Sequence, residues 1–314
     1  MRVAVVGPGA IGGFVAAALA RSGVWVDVVA RGAHAEAIER HGIHVESDLG
    51  TFSVRVGVSE DLSAAPPLDF VLLTFKAHQW PGLLDRLAPL AGSATLLATM
   101  QNGVPFWFVR DPPLRSVDPG GAIGRLFGDS QVIGSVVHVS GHIIAPGRIR
   151  QSGGLRYVFG DPNGGTARAG GLVDIFRSAG LAAEADPNVR ETIWLKLVNN
   201  VGLNAVSVLR GMTIKPMLEN AVAREEVRLL MTEALRVGQA MRVVGDVDVE
   251  ARIEYAARLD NVKTSMLQDF EQRRPLEIDP ILGAVCELGE RIGVATPNVA
   301  RAYAELVELT AASR

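Results

Sequence analysis

Apolar and polar positions change their period part-way along the chain. Residues 3–6 form a short β-branched run that stops at glycine. Residues 14–21 are helix-prone and end at Ser22-Gly23, and residues 24–30 form a second apolar run. That order predicts a β-α-β unit with parallel strands and a right-handed crossover. A helix is expected over 33–40. Residues 43–46 and 51–56 flank Ser47-Asp48-Leu49-Gly50 and predict a hairpin. Residues 70–74 and 94–98 are apolar throughout, as strands buried on both faces are, with a helix expected over 79–90 between them. Residues 105–130 are rich in Pro, Gly and Asp and read as loop. Further strands, partly antiparallel, are expected at 132–140, 148–151, 157–159 and 181–185, with a helix at 166–179.

Beyond Asp186-Pro187-Asn188 the strand pattern disappears. Helical periodicity runs over 189–209, 218–242, 247–260, 264–273, 279–292 and 297–312. Pro216, Gly245-Asp246, Pro275, Pro280 and Thr296-Pro297 punctuate it. The chain therefore reads as two domains, an α/β domain over residues 1–187 and an all-helical domain over residues 188–314. A length of 314 residues suits two domains.

Composition narrows the function classes. The chain is 48% hydrophobic and 21% charged, which suits a globular protein with a sizeable core. With 31 Lys+Arg against 34 Asp+Glu the net charge is −3, and neither half carries the basic excess that nucleic-acid binding needs. No apolar run reaches the length of a membrane span. The apolar start is cut at once by Gly7-Pro8-Gly9, so it reads as a strand and not as a signal segment. The single cysteine, Cys286, excludes an intrachain disulfide and a multi-cysteine metal site. It lies among Leu282, Ala284 and Val285 and reads as a small buried hydrophobe. A reducing compartment, the cytoplasm, follows as the expected location. The six histidines show no helical His-x₃-His pair, so no metal is expected.

Gly7, Gly9 and Gly12 form G-x-G-x-x-G between a strand and a helix, within Gly7-Pro8-Gly9-Ala10-Ile11-Gly12. A dinucleotide needs a tight turn at the first glycine, close backbone approach at the second and tight helix–strand packing at the third. The amides and dipole of the following helix then face the phosphates. The context makes the first domain Rossmann-like. The alternatives are a methyltransferase-like fold and a glycine turn of purely structural use. Asp27 has the count of the acid that holds an NAD ribose, but the strand ends near Val29 or Ala30. The residue just past it is Arg31, a donor suited to a 2′-phosphate, which favours NADP(H) over NAD(H). The other readings are a solvated helix-start residue for Arg31 and a half-buried strand charge for Asp27.

In the helical half, Lys196, Asn200 and Asn204 follow one another at four-residue spacing and share one stripe. Ile193, Leu197, Val201 and Val208 make that side otherwise apolar. Polar groups on such a helix need partners. The bland alternative is a surface lysine and two structural amides. Lysine usage argues against it. Only Lys76, Lys196, Lys215 and Lys263 occur, so 31 − 4 = 27 of the basic residues are arginine. A lysine in such a chain suits a task that needs a compact, deprotonatable ammonium, and burial moves its pKa toward the range of a general acid. Asn102-Gly103 and Lys76 each follow an apolar strand, at the edge where open α/β sheets bind ligands. Glu277 precedes a helix and reads equally as a cap.

With Thr74-Phe75-Lys76-Ala77, Gln101-Asn102-Gly103, Trp194-Leu195-Lys196-Leu197, Ser265-Met266-Leu267-Gln268-Asp269 and Glu277-Ile278-Asp279 added, nearly the whole chain resembles the ketopantoate reductase family (2-dehydropantoate 2-reductase, ApbA/PanE). The resemblance implies NADPH-dependent reduction of a 2-oxo acid, at a cleft between a Rossmann-like and a helical domain. It implies a general acid at Lys196, and Asn200 and Asn204 on the substrate hydroxyl. Ser265 then meets the substrate carboxylate, Glu277 the substrate, and Asn102 lies between substrate and cofactor. Lys76 and Arg31 serve the cofactor side with Gly7, Pro8, Gly9, Ala10, Ile11 and Gly12. The stretch 105–121 is longer than the family's usual connection, and Gln101 and the doubled Asn199-Asn200 depart from its motif. These departures leave open whether the small-molecule partner is 2-dehydropantoate or another 2-oxo acid. A silent NADP(H) sensor is the non-enzyme alternative. A homodimer is a further expectation: the long helical stretches 218–242 and 279–312 either bury such a surface or pack only on each other.

Overall fold

The β-branched run at the N-terminus forms β1 (Arg2–Val6), buried over its last four residues. The structure, a computed structural model, describes residues 1–62, 67–258 and 262–312. After β1 come β2 (Trp25–Val29), β3 (Ile43–Ser47), β4 (Gly50–Val54), β5 (Gly57–Ser59), β6 (Phe70–Leu73), β7 (Leu96–Thr99), β8 (Val132–Ala145), β9 (Arg148–Gly160) and β10 (Ala182–Ala185). They make one mixed sheet in the order β4-β3-β9-β8-β7-β6-β1-β2-β5, with β10 paired to β9. From β5 to β8 every pairing is parallel, which is the doubly wound, Rossmann-like part. β8 and β9 then form a long antiparallel ribbon, and the β3–β4 hairpin joins on β9.

Helix α1 (Ala10–Arg21) runs through the core of this unit, with Phe14 to Leu19 fully buried. Its alanines let the backbone lie close to the sheet. Helix α2 (Gly32–His41) follows β2. The helix expected over 79–90 is broken into a 3₁₀ turn (Ala77–Gly82), α3 (Leu84–Leu87) and a second 3₁₀ turn (Ala88–Leu90). Pro81 and Pro89 each remove a backbone donor there and interrupt the ladder. The loop expected over 105–130 contains α4 (Ala122–Leu126). The strands expected at 148–151 and 157–159 are one strand. Gly153 and Gly154 act as a bulge within it, because a Cβ at Gly154 (φ +72°) would come 2.1 Å from the His138 carbonyl. Helix α5 (Gly170–Ser178) packs Phe176 against Tyr157 and Phe159.

The described residues after β10 contain helices and no strand. α6 (Val189–Asn199) continues through a π turn (Asn200–Asn204) into α7 (Ala205–Arg210). Then come α8 (Ile214–Glu219), α9 (Ala221–Ala240), α10 (Val249–Ala257) and α11 (Ser265–Glu271). A second π turn (Asp279–Gly283) leads into α12 (Ala284–Ile292), and α13 (Pro297–Ala312) ends the described chain. Positions 259 and 260 of the helix expected over 247–260 lie outside the described residues. Two compact units result. One comprises Met1–Gln101 and Ala122–Val189, the other Asn102–Gly121 and Arg190–Arg314. The second is built around Trp194, which lies on Gly238 where a Cβ would approach Nε1 to 2.1 Å, and donates from Nε1 to the Ala234 carbonyl at 3.1 Å.

Candidate active site

In the first unit the parallel strands β1, β2, β6 and β7 are each followed by a residue singled out in the sequence. Gly7 leaves β1 with φ +83°, and a Cβ there would strike Phe75 at 2.8 Å. Gly12 faces Thr74, whose Oγ1 would lie 2.1 Å from an added Cβ. Thr74 Oγ1 donates to the Val6 and Gly7 carbonyls at 3.0 and 2.8 Å. Gly9 differs: the nearest atom to an added Cβ is the Gly7 oxygen at 3.9 Å, so its face is open. Gly9 also caps α1 without any side-chain hydrogen bond, and no acid lies in the first turn. Pro8, Ala10 and Ile11 complete a turn whose free amides and open glycine face fit a diphosphate.

Arg31 sits exposed at the N-cap of α2, in extended backbone. Asp27 is placed differently from an acid at a strand end. It lies mid-strand in β2, accepts Trp25 Nε1 at 3.2 Å and packs on Gly57. Lys76 is half-buried and opens the 3₁₀ turn after β6, where its amide donates to Gln79 Oε1 at 2.9 Å. Gln101 has a structural use: its Oε1 accepts Trp80 Nε1 at 3.3 Å and its Nε2 donates to the Phe75 carbonyl at 2.9 Å.

The second unit brings Lys196, Asn102 and Glu277 together. Lys196 Nζ donates to Asn102 Oδ1 at 2.8 Å, and Asn102 Nδ2 donates to Glu277 Oε2 at 3.3 Å. Burial pushes the Lys196 ammonium down to about 8, against the opposing pull of the Glu277 carboxylate. A group with that pKa is mostly protonated at neutral pH yet releases its proton readily. Asn200 and Asn204 follow Lys196 through the π turn. Neither side-chain amide has a hydrogen-bond partner among the described residues, although Asn204 is buried. Ser265 is exposed at the start of α11, and its hydroxyl is likewise unused among the described residues. It makes no hydrogen bond with Lys196. It is tied to the lysine helix through its neighbour: Thr264 Oγ1 meets Ser207 Oγ at 2.6 Å, and Ser207 Oγ donates to the Asn204 carbonyl at 2.9 Å.

The stretch 105–121 is a packed strap and not an open loop. Phe106, Trp107 and Phe108 are buried, and Phe108 stacks on Trp194 at 5.7 Å. Arg190 lies over the Phe108 ring and donates to the Phe108 carbonyl at 2.7 Å. Glu287 receives the amides of Arg115 and Ser116, both at 2.9 Å, the Ser116 hydroxyl and Arg291. Burial pushes the Glu287 carboxyl up, but these hydrogen bonds outweigh it and hold the pKa below the usual range. At the strap's head a Cβ at Gly103 (φ +85°) would lie 2.4 Å from the Pro280 carbonyl oxygen, which accepts the Val104 amide at 2.8 Å. Asn199 also has a partner, since Arg252 Nε donates to its Oδ1 at 3.0 Å. Sequence reasoning missed Ser207, Thr264, Glu287 and Arg252. Only the Thr-Ser start of α11 carried a local signal, as an N-cap.

Comparison with known proteins matches both units. The family model "Ketopantoate reductase PanE/ApbA" covers residues 3–164 and its C-terminal counterpart covers residues 188–309. A 2-dehydropantoate 2-reductase of Mesorhizobium japonicum is 38% identical over 308 residues, 95% of this chain and 94% of its own. The chain belongs to the ketopantoate reductase family. A ketopantoate reductase-type structure from Ralstonia solanacearum MolK2 superposes with a TM-score of 0.93 at 34% identity, covering 100% of this chain and 98% of its own. The 2-dehydropantoate 2-reductase of Geobacter metallireducens GS-15 gives 0.87 at 29%, covering 98% and 99%. As a ketopantoate reductase family member the chain is an oxidoreductase acting on a CH–OH group, and NADP(H) is the family's cofactor. Among the described residues no helix is long and apolar enough to cross a membrane, and no group of His, Cys, Asp and Glu is arranged to hold a metal.

Proposed function

We propose that this chain reduces a 2-oxo acid to the 2-hydroxy acid with NADPH, with 2-dehydropantoate as the substrate and Lys196 as the general acid. The observation that carries the reading is the Lys196–Asn102–Glu277 chain, with the ammonium brought down to about 8. NADPH, when bound, supplies the hydride that adds to the ketone carbon. Lys196 stabilises the negative charge that develops on the carbonyl oxygen and gives it a proton. Asn102 fixes Nζ through its Oδ1, and Glu277 keeps the ammonium from losing its proton too early. Asn200 and Asn204 hold the substrate hydroxyl with amides that the protein leaves unspent, and Ser265 meets the carboxylate. Gly7, Pro8, Gly9, Ala10, Ile11 and Gly12 hold the diphosphate, Arg31 the 2′-phosphate, and Lys76 the same cofactor side. The reaction needs no nucleic acid or membrane partner, and we assign it to the cytoplasm.

Turnover of NADPH with a panel of 2-oxo acids tests the substrate. Turnover of others but not of 2-dehydropantoate would replace it, and NADPH binding without any turnover would make the chain a sensor. Lys196→Ala should lower kcat by about 10²–10⁴ with NADPH affinity nearly unchanged. Wild-type rates in that variant refute the general acid.

A further inference from the structure

His34, in the first turn of α2, lies three residues past Arg31. Its ring joins two backbone groups of the first unit that are far apart in sequence. Nε2 is 2.8 Å from the Pro8 carbonyl oxygen, and the Gly147 amide meets Nδ1 at 3.1 Å. A carbonyl only accepts and a backbone amide only donates. The ring is therefore neutral, with its proton on Nε2. The peptide joining Pro8 to Gly9 is held at both ends, since its carbonyl takes His34 and its amide donates to the Gly7 carbonyl at 2.6 Å. That peptide is the middle of the glycine turn.

Gly147 is the tip of the β8–β9 ribbon and is itself wedged in place. Its φ of +72° is a conformation that side chains rarely adopt, an added Cβ would lie 3.3 Å from Ala37 Cβ and 3.4 Å from the Gly42 carbonyl oxygen, and its carbonyl accepts the His44 amide at 2.8 Å. From the same ribbon, Ile149 presses on α1 at Gly13, where an added Cβ would lie 2.2 Å from Cδ1. The ribbon tip, the start of α2 and the glycine turn thus meet on one imidazole.

We propose that His34 is the positioning residue of the dinucleotide site. It fixes the Pro8–Gly9 peptide by anchoring it to the ribbon tip, so that the tip belongs to the cofactor site. This rests on reading the glycine turn as the NADP(H) diphosphate cradle. The test compares the full chain with His34→Leu, which fills the space without either bond, and His34→Gln, whose amide can donate to Pro8 and accept from Gly147. Hydrogen exchange of the segment around Gly147, NADPH affinity by fluorescence titration, thermal melting and steady-state kinetics are read together. In His34→Leu the Gly147 segment should exchange faster and NADPH binding should weaken by about tenfold, the size of one lost hydrogen bond. The melting temperature should stay close to wild type, and kcat at saturating NADPH should stay within about twofold. His34→Gln should recover both exchange and affinity. If His34→Leu does not fold, His34→Asn, too short to reach both groups, takes its place with the same expectations.

Undiminished NADPH affinity in His34→Leu overturns the proposal, as does a His34→Gln variant as weak as His34→Leu. A fall in melting temperature that accounts for the whole loss of affinity also overturns it. Wild-type protein that fails to bind NADPH overturns the reading of the glycine turn and this inference with it.

Discussion

Replacing Glu277 with glutamine should move the titration of Lys196 and leave its hydrogen-bond chain intact. Glutamine keeps an oxygen for Asn102 Nδ2, so only the charge is lost. The two charges are bridged by 2.8 Å and 3.3 Å hydrogen bonds on either side of one amide. With the amide included, they are at most about 8 Å apart. At an effective dielectric of about 20 that separation is worth about 2 kcal/mol, or about 1.5 pKa units. Lys196 and Glu277 are both half-buried, so solvent screening reduces the figure to about one unit.

The sign follows from the direction of the pull. Glu277 raises the Lys196 pKa against the lowering caused by burial. Removing the carboxylate should therefore lower the pKa from about 8 to about 7. With Lys196 as the proposed general acid, reduction uses the protonated lysine, so kcat/KM should fall with rising pH through about 8 in the wild type and about one unit lower in Glu277→Gln. The assay is the loss of NADPH absorbance across pH, at subsaturating 2-oxo acid. In the reverse direction, oxidation of the hydroxy acid needs the neutral amine, and its rising limb should shift the same way. An alkaline limb that stays put, or moves upward, would refute the electrostatic role of Glu277.

Under the proposed assignment of Arg31 to the 2′-phosphate, Arg31→Ala should raise the KM for NADPH by about tenfold and leave that for NADH almost unchanged. Equal losses for both cofactors would contradict the assignment. Gly103→Ala should destabilise the protein by about 2 kcal/mol or more, because it forces a left-handed residue against the Pro280 carbonyl. The same displacement of Asn102 should lower kcat/KM by at least about tenfold, and both are read from thermal melts and kinetics on one preparation. Tyr157→Phe should stabilise by about 1 kcal/mol, because the Tyr157 hydroxyl is buried without a hydrogen-bond partner among the described residues and its pKa is pushed up by burial. A lowered melting temperature there would reveal a partner for that hydroxyl.

Much of the first unit was legible because its signals are local. The β-α-β start, the β3–β4 hairpin and the apolar strands β6 and β7 each carry their period within a few residues. The glycines of the turn answer to steric demands that can be stated from sequence, and the contacts of Gly7 and Gly12 bear them out. The helix expected over 79–90 fails for an equally local reason, its two prolines, which the apolar spacing outweighed. Where Asn102 belongs was not legible. It follows β7 directly, yet its side chain meets residues 94 and 175 positions away, and those bonds draw the strap 102–121 into the helical unit. No window of sequence contains that information.

Spacing alone accounts for only part of how Lys196, Asn200 and Asn204 are arranged. In a continuous α-helix four residues overshoot a full turn by about 40°, so Asn204 would stand about 80° away from Lys196. The π turn at Asn200–Asn204 closes over five residues and holds more than four per turn, so the second step falls short of a full turn. In that geometry overshoot and shortfall offset each other, which brings the three positions back toward one stripe, and Asn204 is buried. Gly202 makes room for that wider turn, since a Cβ there would lie 2.6 Å from Met231 on α9. Four-residue spacing in a continuous α-helix would spread the three polar groups around its axis, and a widened turn between them counters that spread. One glycine, which the spacing alone gives no reason to notice, lets the widened turn lie close against α9.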